Sequence, residues 1–129
     1  MMCIDSTCII DFLKGKESAI KIVEKYKDSL VTTEINLFEI YFGIYQKKEI
    51  SEKEKIAASL FFDNVELLGE GRWGEVAAEL MTNSIKKGKI IDQNDCFIAA
   101  IMKQNGCNKI ITSNEKYFSN IEGIEVIKY

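Results

Sequence analysis

Three acids stand where their types and surroundings could do chemistry: Asp5, Glu39 and Asp95. Asp5 directly follows the apolar run Met2-Cys3-Ile4. Ligands of open α/β sheets sit outside the carboxyl ends of the strands, so an acid placed after a strand lies at that rim. Glu39 is the single charge between Ile35 and Tyr45. Helical spacing lines it up with Asn36, Gly43 and Gln46 on one narrow stripe. Asp92 and Asp95 open a run whose body is Cys96 to Met102, and they follow the apolar pair Ile90-Ile91. Each acid has an ordinary alternative. Asp5 can cap a helix, the Glu39 stripe can face water rather than a cleft, and acids at a helix start are stabilised by its free N–H groups. In the cleft reading, Gly43 allows close packing one turn beyond Glu39.

Three carboxylates meeting at one rim would repel and raise one another's pKa. A hard divalent cation, Mg²⁺ or Mn²⁺, resolves that conflict with oxygen ligands alone. Such a site can polarise a phosphate, make water nucleophilic and stabilise the leaving oxygen, with one ion or with two about 4 Å apart. It needs no histidine, and the chain has none. That absence excludes imidazole-based triads and histidine-ligated metals.

The elements that must position these acids are legible in outline. Met2–Ile4 reads as a buried strand. Ser6 or Thr7 is expected to cap a first helix that ends at Lys14-Gly15. Glu17–Tyr26 is a second helix and Leu30-Val31 a brief strand. Thr32 or Thr33 caps a third helix running to Lys47, and Ser51 caps a fourth carrying Ile56, Leu60 and Phe61. Val65–Leu68 is strand-like. A helix is expected from Glu70 to Lys87, closed by Gly88, and another from Asp92 to Asn105. Lys109–Thr112 is a strand, Asn114–Phe118 a loop or single turn, and Ile124–Ile127 the last strand. Short apolar strands alternating with helices imply a parallel sheet covered on both faces.

The chain has 129 residues, 47% hydrophobic and 29% charged, which fits one domain over 1–129 with a real core. No apolar run approaches a membrane span and the start is too short for a signal peptide, so a cytoplasmic protein with no membrane partner is expected. The cysteines, Cys3, Cys8, Cys96 and Cys107, form no Cys-x-x-Cys pair and read as buried thiols. A net charge of −3 is not the basic footprint of a general nucleic-acid binder. Lys86, Lys87 and Lys89 could contact phosphates or form a solvated run. Trp73, Tyr41 and Tyr45 could stack on bases or serve the core.

Four blocks carry a resemblance: Asp5-Ser6-Thr7 after an apolar strand, Glu39-Ile40 with Gly43, Asp95-x-x-Ile98-Ala99-Ala100, and Thr112-x-Asn114 with Phe118 followed by Ile124-Glu125-Val126. In that order and spacing, across nearly the whole chain, they resemble the PIN-domain family, in particular VapC-like toxins of toxin–antitoxin pairs. The resemblance implies a three-layer α/β/α sandwich with a mainly parallel sheet. It also implies a Mg²⁺- or Mn²⁺-dependent ribonuclease with Asp5, Glu39 and Asp95 as its acidic core. Asn114 matches a position that is Asp or Asn in such proteins and would assist the reaction. Asp92, a further candidate metal ligand, falls where relatives often carry another residue, and Thr7 departs from their usual Asn or Ser. An RNA substrate, a small antitoxin and a homodimer are the implied partners.

Rival readings are a phosphatase or phosphoacceptor, a non-catalytic PIN-like interaction module, and a PIN nuclease of RNA processing without an antitoxin. The aspartyl phosphatases that resemble the haloacid dehalogenase family want a second Asp where Thr7 stands. The third helix has two apolar sides, Leu37, Ile40 and Ile44 against Phe38, Phe42 and Tyr45. One sheet cannot bury both, so a second copy or a partner is expected to cover part of the aromatic side.

Overall fold

The structure, a computed structural model, describes residues 1–69 and 71–129. Among them are five strands, β1 (Met2–Ile4), β2 (Leu30–Thr32), β3 (Glu66–Leu67), β4 (Lys109–Ile111) and β5 (Glu125–Ile127). Every pairing is parallel, in the order β3-β2-β1-β4-β5. The helices are α1 (Ser6–Leu13), α2 (Glu17–Tyr26), α3 (Glu34–Tyr45), α4 (Glu52–Asp63), α5 (Trp73–Lys86), α6 (Gln93–Gln104) and the single turn α7 (Glu115–Phe118).

Strand periodicity sorts the core into two layers. Cys3, Val31 and Ile110 point to one face, where they meet Ala77 and Leu80 of α5, the body of α6, and Phe118. Met2, Ile4, Leu30 and Ile111 point to the other, against Cys8, Ile9, Ala19, Ile40, Ile44, Ala58 and Phe61 from α1 to α4. Successive side chains of a strand alternate between faces, so each apolar triplet feeds both layers. This is the expected α/β/α sandwich, with a sheet that is wholly parallel. From Ile98 to Met102, α6 is buried on every side, which explains a run without polar interruption. All four cysteines are free and buried.

Local chemistry sets most boundaries. Thr33 caps α3 by accepting from the Asn36 N–H, and Ser51 caps α4 by accepting from Glu54 N–H. Thr32 is instead the last residue of β2, and its hydroxyl donates to the Ile4 carbonyl at 2.9 Å. Gly88 closes the end of α5 with φ 68°, a conformation that suits a residue without Cβ. Three expectations shift. α3 ends at Tyr45 rather than Lys47, α5 begins at Trp73, and the expected start at Glu70 lies outside the described residues. α4 turns Ala58 and Phe61 inward and leaves Ile56 and Leu60 exposed.

Phe118 is fully buried in the layer beneath α6, four residues after Asn114. Phe118→Ala should cost about 3–5 kcal/mol, the usual range for removing a buried ring. Urea unfolding should show this as a lowered midpoint with an unchanged slope.

Candidate active site

The strand order reverses between β1 and β4: β2 and β3 lie to one side and β5 to the other. A crevice opens at such a switch point, outside the carboxyl ends. Asp5 follows β1 there, its N–H donating to the Ile111 carbonyl at 3.0 Å. Thr112 follows β4 beside it.

Asp5 is only 2% exposed, so its carboxylate depends on protein donors. Oδ2 accepts from the Thr112 hydroxyl at 2.7 Å and the Thr7 hydroxyl at 3.1 Å. Oδ1 accepts from the Asn36 amide at 2.9 Å. The first helix is thus not capped by Ser6 or Thr7. Asp5 holds the cap position with no side-chain cap bond, and both hydroxyls turn toward the acids instead. Ser6 donates to Glu39 Oε1 at 3.0 Å, with Asp5 Oδ1 3.5 Å away.

α3 delivers Asn36 and Glu39 one turn apart. Asn36 is fully buried and Glu39 half-buried. The rest of the stripe runs outward, with Gly43 and Gln46 exposed. Space for a Cβ at Gly43 is open, so this glycine does not serve close packing. It lines a groove of about 500 Å³ between α1, α3 and α4, which adjoins Glu39.

α6 delivers the remaining acids. Asp92 caps it, Oδ2 accepting from the N–H groups of Asn94 at 3.0 Å and Asp95 at 3.3 Å. The side chain is exposed and only its other oxygen is left for a ligand. Asp95 is buried, and its Oδ2 accepts from the Asn114 amide at 2.7 Å. The Asn114 N–H in turn donates to Thr112 Oγ1 at 2.9 Å, so the two rims are joined.

The acids feel one another. Burial raises the pKa of Asp5, against the lowering effect of bonds from Thr112, Thr7, Ser6 and Asn36. Glu39 is raised by burial and by the charge of Asp5, while Ser6 and Asn94 pull it down. Asp95 is pushed up to about 8 by burial, then by Asp5, Asp92 and Glu39. Among the described residues none of the four pairs with a lysine or arginine. Nor do any three His, Cys, Asp or Glu side chains among them already meet as a metal cage. Each carboxylate is tied to its own donor, which keeps the repelling charges apart. Mg²⁺ is commonly held by one or two carboxylates and keeps several waters, so this all-oxygen set, without a countercharge, fits such an ion.

Sequence reasoning missed Ser6 and Asn36 as partners of the acids. The signal for Asn36 was its place on the Glu39 stripe, one turn earlier. Other candidates serve elsewhere. Lys87 faces Glu122 at 3.4 Å, Trp73 packs on Phe97 with centroids 4.9 Å apart, and Tyr41 stacks on Phe62. Phe38, Phe42 and Tyr45 are each about half exposed, Phe38 stacking on Phe42.

Comparison with known proteins adds independent findings. Residues 2–124 match the model of the PIN domain family. No curated protein sequence matches the chain. Among solved structures, VapBC2 from Rickettsia felis, bound to a DNA fragment from its promoter, is similar at TM-score 0.87 and 20% identity, covering 99% of this chain and 98% of that one. DNA-bound VapBC from Salmonella typhimurium matches at TM-score 0.86 and 20% identity, over 98% and 96%. VapBC-1 from nontypeable Haemophilus influenzae matches at 0.82 and 22%, again over 98% and 96%.

All three acid shifts are upward, so the folded chain keeps protons that the unfolded chain has lost. Stability should therefore fall as pH rises from the ordinary carboxylate value, 3.8, toward the folded value of Asp95, about 8. The melting temperature of chelator-treated protein should drop across that window. Asp95→Asn should flatten the drop, and an equally steep profile in that variant would count against a strained Asp95.

Proposed function

The chain belongs to the PIN domain family, and from that premise we propose that residues 1–129 form one nuclease domain that hydrolyses RNA with Mg²⁺ or Mn²⁺. In this reading it is the toxin of a toxin–antitoxin pair and acts in the cytoplasm. One observation carries the reading: carboxylates whose pKa values are raised, first by burial and at Glu39 and Asp95 also by neighbouring acids, gather at the switch point of the sheet without a basic partner. A purely structural cluster of acids would be expected to recruit lysines, and this surface has them to spare. No helix is long and apolar enough to cross a membrane among the described residues.

Asp5, Glu39 and Asp95 are the residues that would hold the ion, with Asp92 adding charge beside them while it caps α6. When bound, the ion supplies Lewis-acid chemistry, polarising the phosphate and acidifying water. The chain's own residues keep the carboxylates ready for it. Thr7, Thr112 and Asn36 hold Asp5, Ser6 holds Glu39, and Asn114 holds Asp95 at Oδ2. Fixing them before the substrate arrives lowers the reorganisation needed during reaction.

The groove beside Glu39 supports the antitoxin reading. Its floor is apolar, with Ile10, Leu13, Ile40 and Ile44, and Lys14 and Lys53 stand at its sides beside Lys47, which pairs with Glu54. An amphipathic antitoxin helix with an acidic flank suits that chemistry and would cover the approach to Glu39. The exposed aromatic side of α3 suits a second copy of the chain. Light scattering is expected to give a dimer in the micromolar range.

Asp95→Asn should abolish RNA cleavage and leave the fold intact, because Asn is nearly isosteric and its oxygen can still accept from Asn114, but it lacks the charge. The test compares parent and variant, both folded by circular dichroism, on labelled structured RNA with and without Mg²⁺. A variant that cuts as fast as its parent would remove Asp95 from the site, and a parent that never cuts would favour a non-catalytic module. Mn²⁺ that binds only the folded chain should also stabilise it, by about 2.7 kcal/mol at a hundredfold excess over its dissociation constant.

A further inference from the structure

Asn36 is an amide buried completely at the foot of the acid cluster, on no surface and in no ladder. Its side chain has two bonds, and together they fix its direction. Thr33 Oγ1 donates to Asn36 Oδ1 at 2.8 Å while accepting from the Asn36 N–H at 3.2 Å. With its oxygen engaged by a hydroxyl, the amide must turn its NH₂ group the other way, and there Nδ2 meets Asp5 Oδ1 at 2.9 Å. The α3 cap, the amide and the carboxylate thus form one relay from helix to strand end.

The carboxylate needs such a partner. The terminal torsion of an aspartate is broad, so bonds at one oxygen leave the group free to swing. Oδ2 already takes two hydroxyls, from Thr7 and Thr112, which fill its two lone pairs. Asn36 holds Oδ1 from the α3 side, and the backbone N–H of Ser6 bears on the same carboxylate. Ser6, whose hydroxyl bonds Glu39 at 3.0 Å, stands 3.5 Å from that same oxygen, so Oδ1 lies on the side of Glu39.

We infer that Asn36 is a positioning residue for Asp5: it pins Oδ1 on the side of Glu39, where the two carboxylates would take a divalent cation. The inference rests on the metal-site reading above. It predicts that metal affinity, rather than helix stability alone, depends on this amide. Outer partners of metal ligands typically alter affinity by about 10–100-fold, and a loss of about that size is expected here.

Isothermal titration of Mn²⁺ into the purified chain, at one fixed pH, tests this with three variants. Asn36→Leu fills nearly the same space without a donor, and its Mn²⁺ dissociation constant should rise about tenfold or more. Asn36→Thr keeps a donor and should recover most of the affinity. RNA cleavage by Asn36→Leu should be impaired more at limiting than at saturating Mn²⁺. If Asn36→Leu does not fold, Thr33→Ala decides, since it frees the amide to rotate and should also weaken Mn²⁺ binding. A folded Asn36→Leu, or in its place Thr33→Ala, that binds Mn²⁺ as tightly as the parent overturns the inference. A parent that binds Mn²⁺ in an Asn36-dependent way but cuts no RNA overturns the nuclease reading and leaves the inference standing. A parent that binds no Mn²⁺ overturns both.

Discussion

A carboxylate buried at the middle of a sheet is the constraint around which this molecule is arranged. Burying a charged group without partners costs several kcal/mol, so every donor to Asp5 is also a structural requirement. Those donors come from α1, from α3 and from the end of β4. Asp5 therefore ties together three elements far apart in sequence, at the place where strand order reverses. The neighbouring bonds extend the same logic, from Thr112 to Asn114 and from Asn114 to Asp95. The rim is a single network of polar groups whose members hold one another's geometry.

The network satisfies hydrogen bonding without neutralising charge. Amides and hydroxyls surround the acids, and the ion pairs of the described residues lie elsewhere, between exposed side chains such as Lys21 with Glu17 and Lys27 with Glu24. Such surface pairs contribute little to stability. The acids are thus kept oriented and without a countercharge, a combination that favours binding a cation over folding stability. Raised pKa values are the measurable sign of that compromise.

Much of this architecture was readable from pattern alone, because strand and helix periods are local. Short apolar runs such as Met2–Ile4 separated by capped helices led directly to the parallel sheet, and placing Asp5 after a strand placed it at the rim. What escaped reading depends on distant partners. Ser6 and Thr7 carry the ordinary preference for a helix cap, yet Glu39 of α3 claims the Ser6 hydroxyl and Asp5 itself the Thr7 hydroxyl. Gly43 looked like a packing glycine, but α4 leaves its Cβ direction open. Asn36 stood on the correct stripe with nothing in its own segment to say that a carboxylate faces it. The two apolar sides of α3 were visible as sequence, and the exposed one is its Phe38, Phe42 and Tyr45 side.

The pairing of β1 with β4 has a bearing on synthesis. Asp5 and Thr112 lie 107 residues apart, yet share the shortest bond that Asp5 makes. A nascent chain carries its first acid from the beginning but lacks the strand that seats it until most of the sequence has left the ribosome. Asn114 lies two residues beyond Thr112 and completes the hold on Asp95 at the same late stage. Until then the first acid has no seat, so the two halves of the site are joined only late.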